Sequence, residues 1–542
     1  MFCIDKNTPE LDFLNLLLKN RKVKAKDVGD FLKPLSPQKL KSKSFGVSQK
    51  SLNQAAKVIK QYIDENRNIL IYGDYDVDGI TSTAILWQVL YQNQANVLPF
   101  VPDRELDGYG IKADSFFRIQ KAKNIRFDLL ITVDNGIVAG KEFDKILKKQ
   151  KTQIIVVDHH VADNSLNKQI MAVHSTKTSA SVLSWLLSHQ VNKNADLGLA
   201  ALGAVADCIP LNTTNRNIVF HGLQSLRLKP NIGIKKLIQV SGSKQASLSS
   251  YDLGFILAPR INAVGRLSNP IDALRLLCSQ TPEQANKFVQ ILDDYNQDRQ
   301  NLQKESLLLA EKKVNSKDKL LFIADKSFHP GIIGLIAGRL TEKHYLPSVV
   351  ISVNKDISKG SCRSVKELDI IKTLQKFSNL FLDLGGHAGA AGFSIKTKNI
   401  PKLQKKLITL VNKKLSKVDL NPEVFIDAKM KLNAVGVKNC RLVQKLEPFG
   451  VANPKPMFLF KNLRIVEKRL LGKNQDHLKL KVDDPQTSKK ENITTDCIAF
   501  RKGDLDPTIK IGDLITFTAH LNLNIWNGYT SPQLIVNDIL SL

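Results

Sequence analysis

The sequence is short of several things, and each shortage removes a class of protein. Its six cysteines (Cys3, Cys208, Cys278, Cys362, Cys440 and Cys497) are scattered and form no Cys-x-x-Cys pair. That excludes a disulfide framework and a zinc ribbon, and leaves reduced thiols. No apolar run approaches the ~18 residues of a membrane span. The opening MFCIDKNTPE lacks a basic stretch followed by an apolar one, so no export leader is expected and the expected location is the cytoplasm. Internal repeats and low-complexity tracts are also missing. Acidic residues are scarce: Asp plus Glu is 51 against 79 Lys plus Arg, a formal net charge of +28. Such a surplus favours a polyanionic partner, nucleic acid before a membrane surface.

What is present builds cores. The chain is 43% hydrophobic and 24% charged, which argues against disorder. Its 542 residues, at about 150 per domain, predict three to four domains. Residues 1–46 hold a helix-like stretch, LDFLNLLLKNRKV, and a Pro-containing link. From Ser48 a helical period runs through Leu52, Ala55, Ile59 and Ile63. Strand and helix patterns then alternate: NILIYGD, VLPFV, DLLITVD and TQIIVVD are apolar strands, and TSTAILWQVLYQ, ADSFFRIQKAK and AGKEFDKILKKQ are helices. Continuous apolar strands between amphipathic helices predict a doubly wound parallel sheet over 47–225.

A helical connector is predicted over 226–315. Its last helix starts at Thr281, with Pro282 in the first turn and Gln284 as capping-box partner, and runs to about Val314 as a link between two lobes. KLLFIAD and SVVISV mark a second α/β domain over 316–418, with GGHAGAAGFS as a Gly-rich loop. After about 425 the pattern becomes β-like, with an Asn527-Gly528 hairpin signal. About five strands over 425–542 predict a small OB-like β-barrel. QTSKKEN (486–492) reads as a basic loop.

The scarce acids are concentrated. IYGDYDVDGI places Asp74, Asp76 and Asp78 at alternate positions, and two later strands end in ITVDNG (Asp134) and VVDHH (Asp158, His159, His160). In an open α/β sheet these ends converge on one crevice. Carboxylates plus imidazoles without thiolates suit Mg²⁺ or Mn²⁺ better than Zn²⁺. Several carboxylates stay ionised together only when cations neutralise them, and there are ligands enough for two ions. Asp158 is equally a helix cap or a ligand on this reading. Asp207, in LGAVADCIPL, carries little weight alone.

GDYDVDG, VDNG, VVDHH and LGAVADCIPL stand in the order and spacing of the DHH phosphoesterases. PDRELDGYG, APRINAVGRL, FHPGIIGLIAGRL, GSCRS, GGHAGAAG and LEPFGVANPKP extend the likeness to nearly the whole chain, and with the β-module it resembles the RecJ-type, single-strand-specific 5′ exonucleases of that family. The resemblance implies Asp76, Asp78, Asp134, His159 and Asp207 as metal ligands. It makes His160 a ligand or a transition-state contact, and Asp74 a ligand or a support. Pyrophosphatase-like relatives have a ligand histidine where this chain has Tyr72. The segment after the double histidine, MAVHSTKTSASVLSWLL, is shorter than the family's usual one, and His174 within it is unassigned.

For phosphate, Ser361, Arg363 and Ser364 offer bidentate and hydroxyl donors. Gly385, Gly386 and His387 offer close backbone approach, and by resemblance form the substrate-binding loop. Arg260, Asn262 and Arg266 are further candidates. Tyr109, Trp526 and Tyr529 are candidates for base stacking, whereas Phe500 reads as core. The implied activity is 5′→3′ hydrolysis of single-stranded DNA to mononucleotides with two Mn²⁺ or Mg²⁺ ions, in repair and recombination. The implied protein is a monomer working beside a single-strand-binding protein and a helicase. The rivals are a DHH phosphodiesterase for short oligonucleotides or cyclic dinucleotides, and a replication scaffold without catalysis. The β-module speaks against the first, and the intact acid set against the second.

Overall fold

The computed structural model describes residues 2–104, 106–108, 110–163, 165–486 and 493–541. The chain begins with a two-residue strand, β1 (Cys3–Ile4), and then builds a parallel sheet from β2 (Ile69–Tyr72), β3 (Val97–Phe100), β4 (Leu129–Val133), β5 (Gln153–Asp158) and β6 (Met171–His174). The order is β3-β2-β4-β5-β6, all parallel. Alternate residues of each strand enter different cores. Ile69, Ile71, Leu129, Ile131, Ile155 and Val157 pack on one face, and Leu70, Tyr72, Leu130, Ile154 and Val156 on the other. Burial on both faces is why these strands read as unbroken apolar runs. The connection after β2 leads to one side and that after β4 to the other. The topological switch point therefore lies between these two strands, at their carboxyl ends. β6, inside the segment that is short relative to the family, was not expected.

The helices beyond this sheet join its core. Ile234, Leu237, Leu274, Val289 and Leu292 pack in the same cluster as Ile71 and Val157. The expected long helix runs Pro282–Lys312, and Thr281 Oγ1 accepts from Gln284 N at 3.3 Å. A second sheet has the order β10-β11-β9-β8-β7, from β7 (Leu321–Asp325), β8 (Ser348–Ser352), β9 (Ile357–Arg363), β10 (Phe381–His387) and β11 (Ala390–Lys396). The Gly-rich stretch is not an open loop. It is the antiparallel hairpin of β10 and β11, in which Gly385 pairs with Gly392 and Gly386 with Ala391. Gly360 on β9 is required by packing, because a Cβ there would stand 2.1 Å from the Phe393 ring.

The C-terminal module comprises β12 (Ala428–Met430), β13 (Phe458–Leu471), β14 (His477–Asp483), β15 (Thr494–Ala499), β16 (Leu514–Trp526) and β17 (Tyr529–Ser541). Strands β13-β14-β15-β17-β16 pair in sequence and β16 returns to β13, so the pairing closes on itself. The N-terminal segment belongs to this distant module. β1 pairs with β12, and Ile4, Phe13, Leu17 and Phe31 share a core with Phe458, Phe460 and Phe517. The Arg21–Asp427 pair at 2.9 Å reinforces the join. By Phe45 the chain has crossed to the core of the parallel sheet. Residues 487–492, most of the expected basic loop, lie outside the described residues.

Candidate active site

The motif YGDYDVDG follows β2 and runs into the helix Val77–Gln92. Asp76 is that helix's N-cap, its Oδ1 accepting from Gly79 N at 3.0 Å. Gly79 has no room for a side chain, because a Cβ would meet Asp74 O at 2.6 Å. Asp78 faces the helix Ala180–Val191, accepting from Ala180 N at 2.7 Å and Ser181 N at 3.0 Å, so its charge sits at a helix N-terminus. Asp134 follows β4 in the left-handed region at φ 61°. The next residue, Asn135, donates to Gly73 O at 3.0 Å and Val133 O at 2.9 Å, lacing the two strand ends at the switch point. Asn135 escaped the sequence reading, although VDNG contained it.

His159 stands among three carboxylates: its Nε2 is 3.2 Å from Asp134 Oδ1 and 3.9 Å from Asp78 Oδ2, and its Nδ1 is 3.6 Å from Asp207 Oδ2. Three overlapping donor sets result: Asp74–Asp76–Asp134, Asp134–His159–His160 and Asp78–His159–Asp207, each with ligand atoms within 4.8 Å of one another. Asp134 and His159 each belong to two sets. Asp74 thus lies beside Asp76, on the same side as the ligands the resemblance implied.

Asp158 is neither helix cap nor member of these sets. Its Oδ1 accepts from His159 N at 2.7 Å and bonds His160 Nδ1 at 2.7 Å, and its Oδ2 accepts from Ile137 N at 2.9 Å. It therefore orients the double histidine. His174 bonds His160 O through Nε2 at 2.7 Å and fixes the same turn.

The electrostatics call for cations. Burial, then Asp76, pushes the Asp74 carboxyl up to about 8. Burial, then Asp78, does the same to Asp207, also to about 8. Asp78 and Asp134 rise mainly from burial, and burial lowers His159. Burial also opposes protonation of His160, but the Asp158 bond and the charges of Asp158, Asp207 and Asp74 together outweigh it and the net shift is upward. The buried atoms Asp74 Oδ1 and Asp134 Oδ1 accept no hydrogen bond. Oxygen and imidazole donors crowded together, two of the buried oxygens without a hydrogen bond, fit Mn²⁺ or Mg²⁺.

A cleft of about 740 Å³ runs from Tyr75 and Asp76 to the second sheet. Arg266, Ser361 and Arg363 line it, as do Arg104 and His329, which the sequence reading quoted within motifs but did not single out. Arg266 is half-buried, and loss of hydration around its guanidinium, with Arg104, Arg299 and Arg363 nearby, lowers it to about 10. A cluster of guanidiniums in one recess suits a phosphate.

Other candidates fall elsewhere. Arg260 is bound to Asp293 at 2.8 Å and to Ile256 O at 2.9 Å, outside the cleft lining. Asn262 accepts from Val77 N at 3.2 Å, bracing the acid motif. Ser364 Oγ donates to Leu368 O. Gly385, Gly386 and His387 are exposed on the hairpin, outside the cleft lining. Trp526 and Tyr529 pair across the Asn527-Gly528 turn, 72% and 83% exposed. Phe500 is 52% exposed and packs edge-on against His477, so it is not core. Tyr109 lies outside the described residues.

Strand-end carboxylates and a double histidine at the switch point of a parallel sheet, opening into an arginine-lined cleft against a second α/β domain, define a DHH-type phosphoesterase. Residues 68–208 match the DHH family N-terminal domain, 317–413 the DHHA1 domain and 426–538 the RecJ OB domain. The chain is 30% identical to the single-stranded-DNA-specific exonuclease RecJ of Dickeya dadantii, over 91% of this chain and 90% of that one. It is 32% identical to the RecJ of Bacillus subtilis, over 90% of this chain but only 63% of the relative's length. The Mn²⁺ complex of RecJ from Thermus thermophilus superposes with a TM-score of 0.81 at 26% identity, covering 98% of this chain and 76% of that one; the same protein is also known with Mg²⁺. The chain belongs to the RecJ family.

Proposed function

We propose that the chain is a single-stranded-DNA-specific exonuclease that hydrolyses phosphodiester bonds from the 5′ end and releases mononucleotides. The observation that carries this is the three overlapping acid–histidine sets opening into the arginine-lined cleft. Asp76, Asp78, Asp134, His159 and Asp207 would hold two Mn²⁺ or Mg²⁺ ions, with Asp74 beside them. Such ions lower the pKa of a bound water, polarise the scissile phosphate and neutralise the leaving oxygen.

The chain's own residues do the rest. Asn135, Asn262 and the capping bonds hold the carboxylates in register before substrate arrives, so no reorganisation is needed during reaction. Asp158 holds the His160 proton at Nδ1 and turns the opposite ring edge away from itself, where it can contact a phosphate oxygen. Arg266, Arg363 and Ser361 hold the terminal phosphate and so set the distance from strand end to scissile bond. Trp526 and Tyr529 stack downstream bases. We place the protein in the cytoplasm, as a monomer acting in repair and recombination beside a single-strand-binding protein and a helicase.

The test digests 5′- and 3′-labelled single strands, duplexes and cyclic dinucleotides with Mn²⁺ or EDTA. Release of 5′-labelled mononucleotide from single strands, abolished by EDTA, is expected. Equal attack on both ends, or a preference for the cyclic dinucleotide, would overturn the reading.

A further inference from the structure

Tyr251 and Phe255 are 63% and 71% exposed, and their rings stack at 4.9 Å with planes 24° apart. They stand four residues apart, Tyr251 as the N-cap of the π-helical segment Asp252–Leu257 and Phe255 within it, and the ring stacking puts them on one face. Wide turns of this kind recur at functional sites. Two large aromatics turned to water in a chain this basic lack a packing explanation, because neither helps to build a core.

Their position supplies one. On one side, a Cβ on Gly254 would lie 3.3 Å from Val205 Cγ1, so the turn rests on the helix Leu197–Ala206, whose C-cap is Asp207. On the other side, Ser250 Oγ donates to Phe449 O at 2.6 Å, and Leu211 N donates to Val451 O at 2.7 Å. The first bond ties the helical connector, and the second the catalytic domain, to the stretch of the C-terminal module just before β13. The aromatic pair therefore stands at the seam between the acid centre and that module. Lys244 and Lys445, in the segments flanking the seam, are exposed. The Asp252 carboxylate is occupied by Ser249 N at 2.8 Å and Ser249 Oγ at 2.6 Å.

We infer that Tyr251 and Phe255 form a base-stacking ledge that carries the single strand between the acid centre and the C-terminal module. This rests on the single-strand reading of the site. The occupant is single-stranded nucleic acid because the ledge joins two surfaces that would hold the same strand, and because every base offers a π-face to an aromatic ring. A duplex keeps its bases stacked on one another and offers none, so the ledge also selects against duplex.

The test uses the full chain in EDTA with 5′-phosphorylated 20-mers carrying 2-aminopurine at successive positions. In wild type, fluorescence is expected to be quenched at one or two adjacent positions near the 5′ end. Tyr251→Leu with Phe255→Leu keeps apolar bulk and removes the π-faces, and Tyr251→Trp with Phe255→Trp restores them. The leucine pair should lose the quench and bind the 20-mer roughly tenfold more weakly or worse. The tryptophan pair should retain both, and Mn²⁺-dependent cleavage of a 5′-phosphorylated dinucleotide should be unchanged in either. A leucine pair that quenches and binds like wild type overturns the ledge. Wild type that neither binds nor degrades single strands overturns the functional reading instead.

Discussion

Asp134 and His159 each serve two of the three donor sets, so they are the residues whose loss propagates furthest. Asp134→Ala is expected to abolish cleavage while leaving affinity for single strands within about twofold, since the proposed function has the strand held by arginines and aromatics; gel assays and anisotropy measure the two separately. The same substitution relieves repulsion in a buried acid cluster, so melting in EDTA should rise, the usual signature of a residue kept for function. Asp158→Ala removes the acceptor that orients His160. Activity should fall roughly 10–100-fold, and the His160 midpoint, followed by NMR, should drop because the bond that raised it is gone. The acid cluster also sets a pH dependence. Asp74 and Asp207 titrate near 8 in the folded, metal-free chain but near 4 when unfolded. The folded state therefore holds the extra protons between those values. Stability in EDTA is fully present below about pH 4 and is lost as pH rises through about 8; thermal melts across that range check the sign.

Helix caps and strand ends do the positioning. At Asp76 one residue both caps a helix and faces Asp74 and Asp134, which is why GDYDVDG was readable as a site: cap, turn and ligand chemistry all ask for the same residue type. Gly79→Ala would force a methyl to within 2.6 Å of Asp74 O, so both activity and stability should fall, by about 1–3 kcal/mol in urea unfolding for an overpacked site. Thr281→Ala removes a cap from the long helix and should cost about 1 kcal/mol with activity unchanged. The three strands ending before the acid motifs, and β3 beside them, were legible from their apolar runs. The hairpin of β10 and β11 was not, because its glycines carry no alternation of buried and exposed side chains. β6 is four residues long and has too little periodicity to read. Phe500 looked like core because an isolated aromatic in a β pattern gives no sign of which face it occupies.

At the scale of the molecule, the N-terminal segment and the C-terminal module are one packing unit separated by about 400 residues of chain. Deleting 425–542 alone would strip Phe13, Leu14, Leu17 and Leu18 of their partners, and size-exclusion chromatography should show aggregation. Removing 1–33 as well should relieve it, leaving a catalytic body that still cuts short oligonucleotides but binds long strands weakly. Affinity of the intact chain should fall steeply with salt, as release of counterions from phosphates requires. The sequence by itself determined the parallel sheet, the acid–histidine set and the basic balance, because those depend on local period, strand-end chemistry and composition. Only the tertiary structure decided that Asp158 serves His160, that Arg260 answers Asp293 while Arg266 turns into the cleft, and that the first thirty residues complete the last domain. Those outcomes depend on which distant surfaces meet in space, and neither spacing nor composition records that.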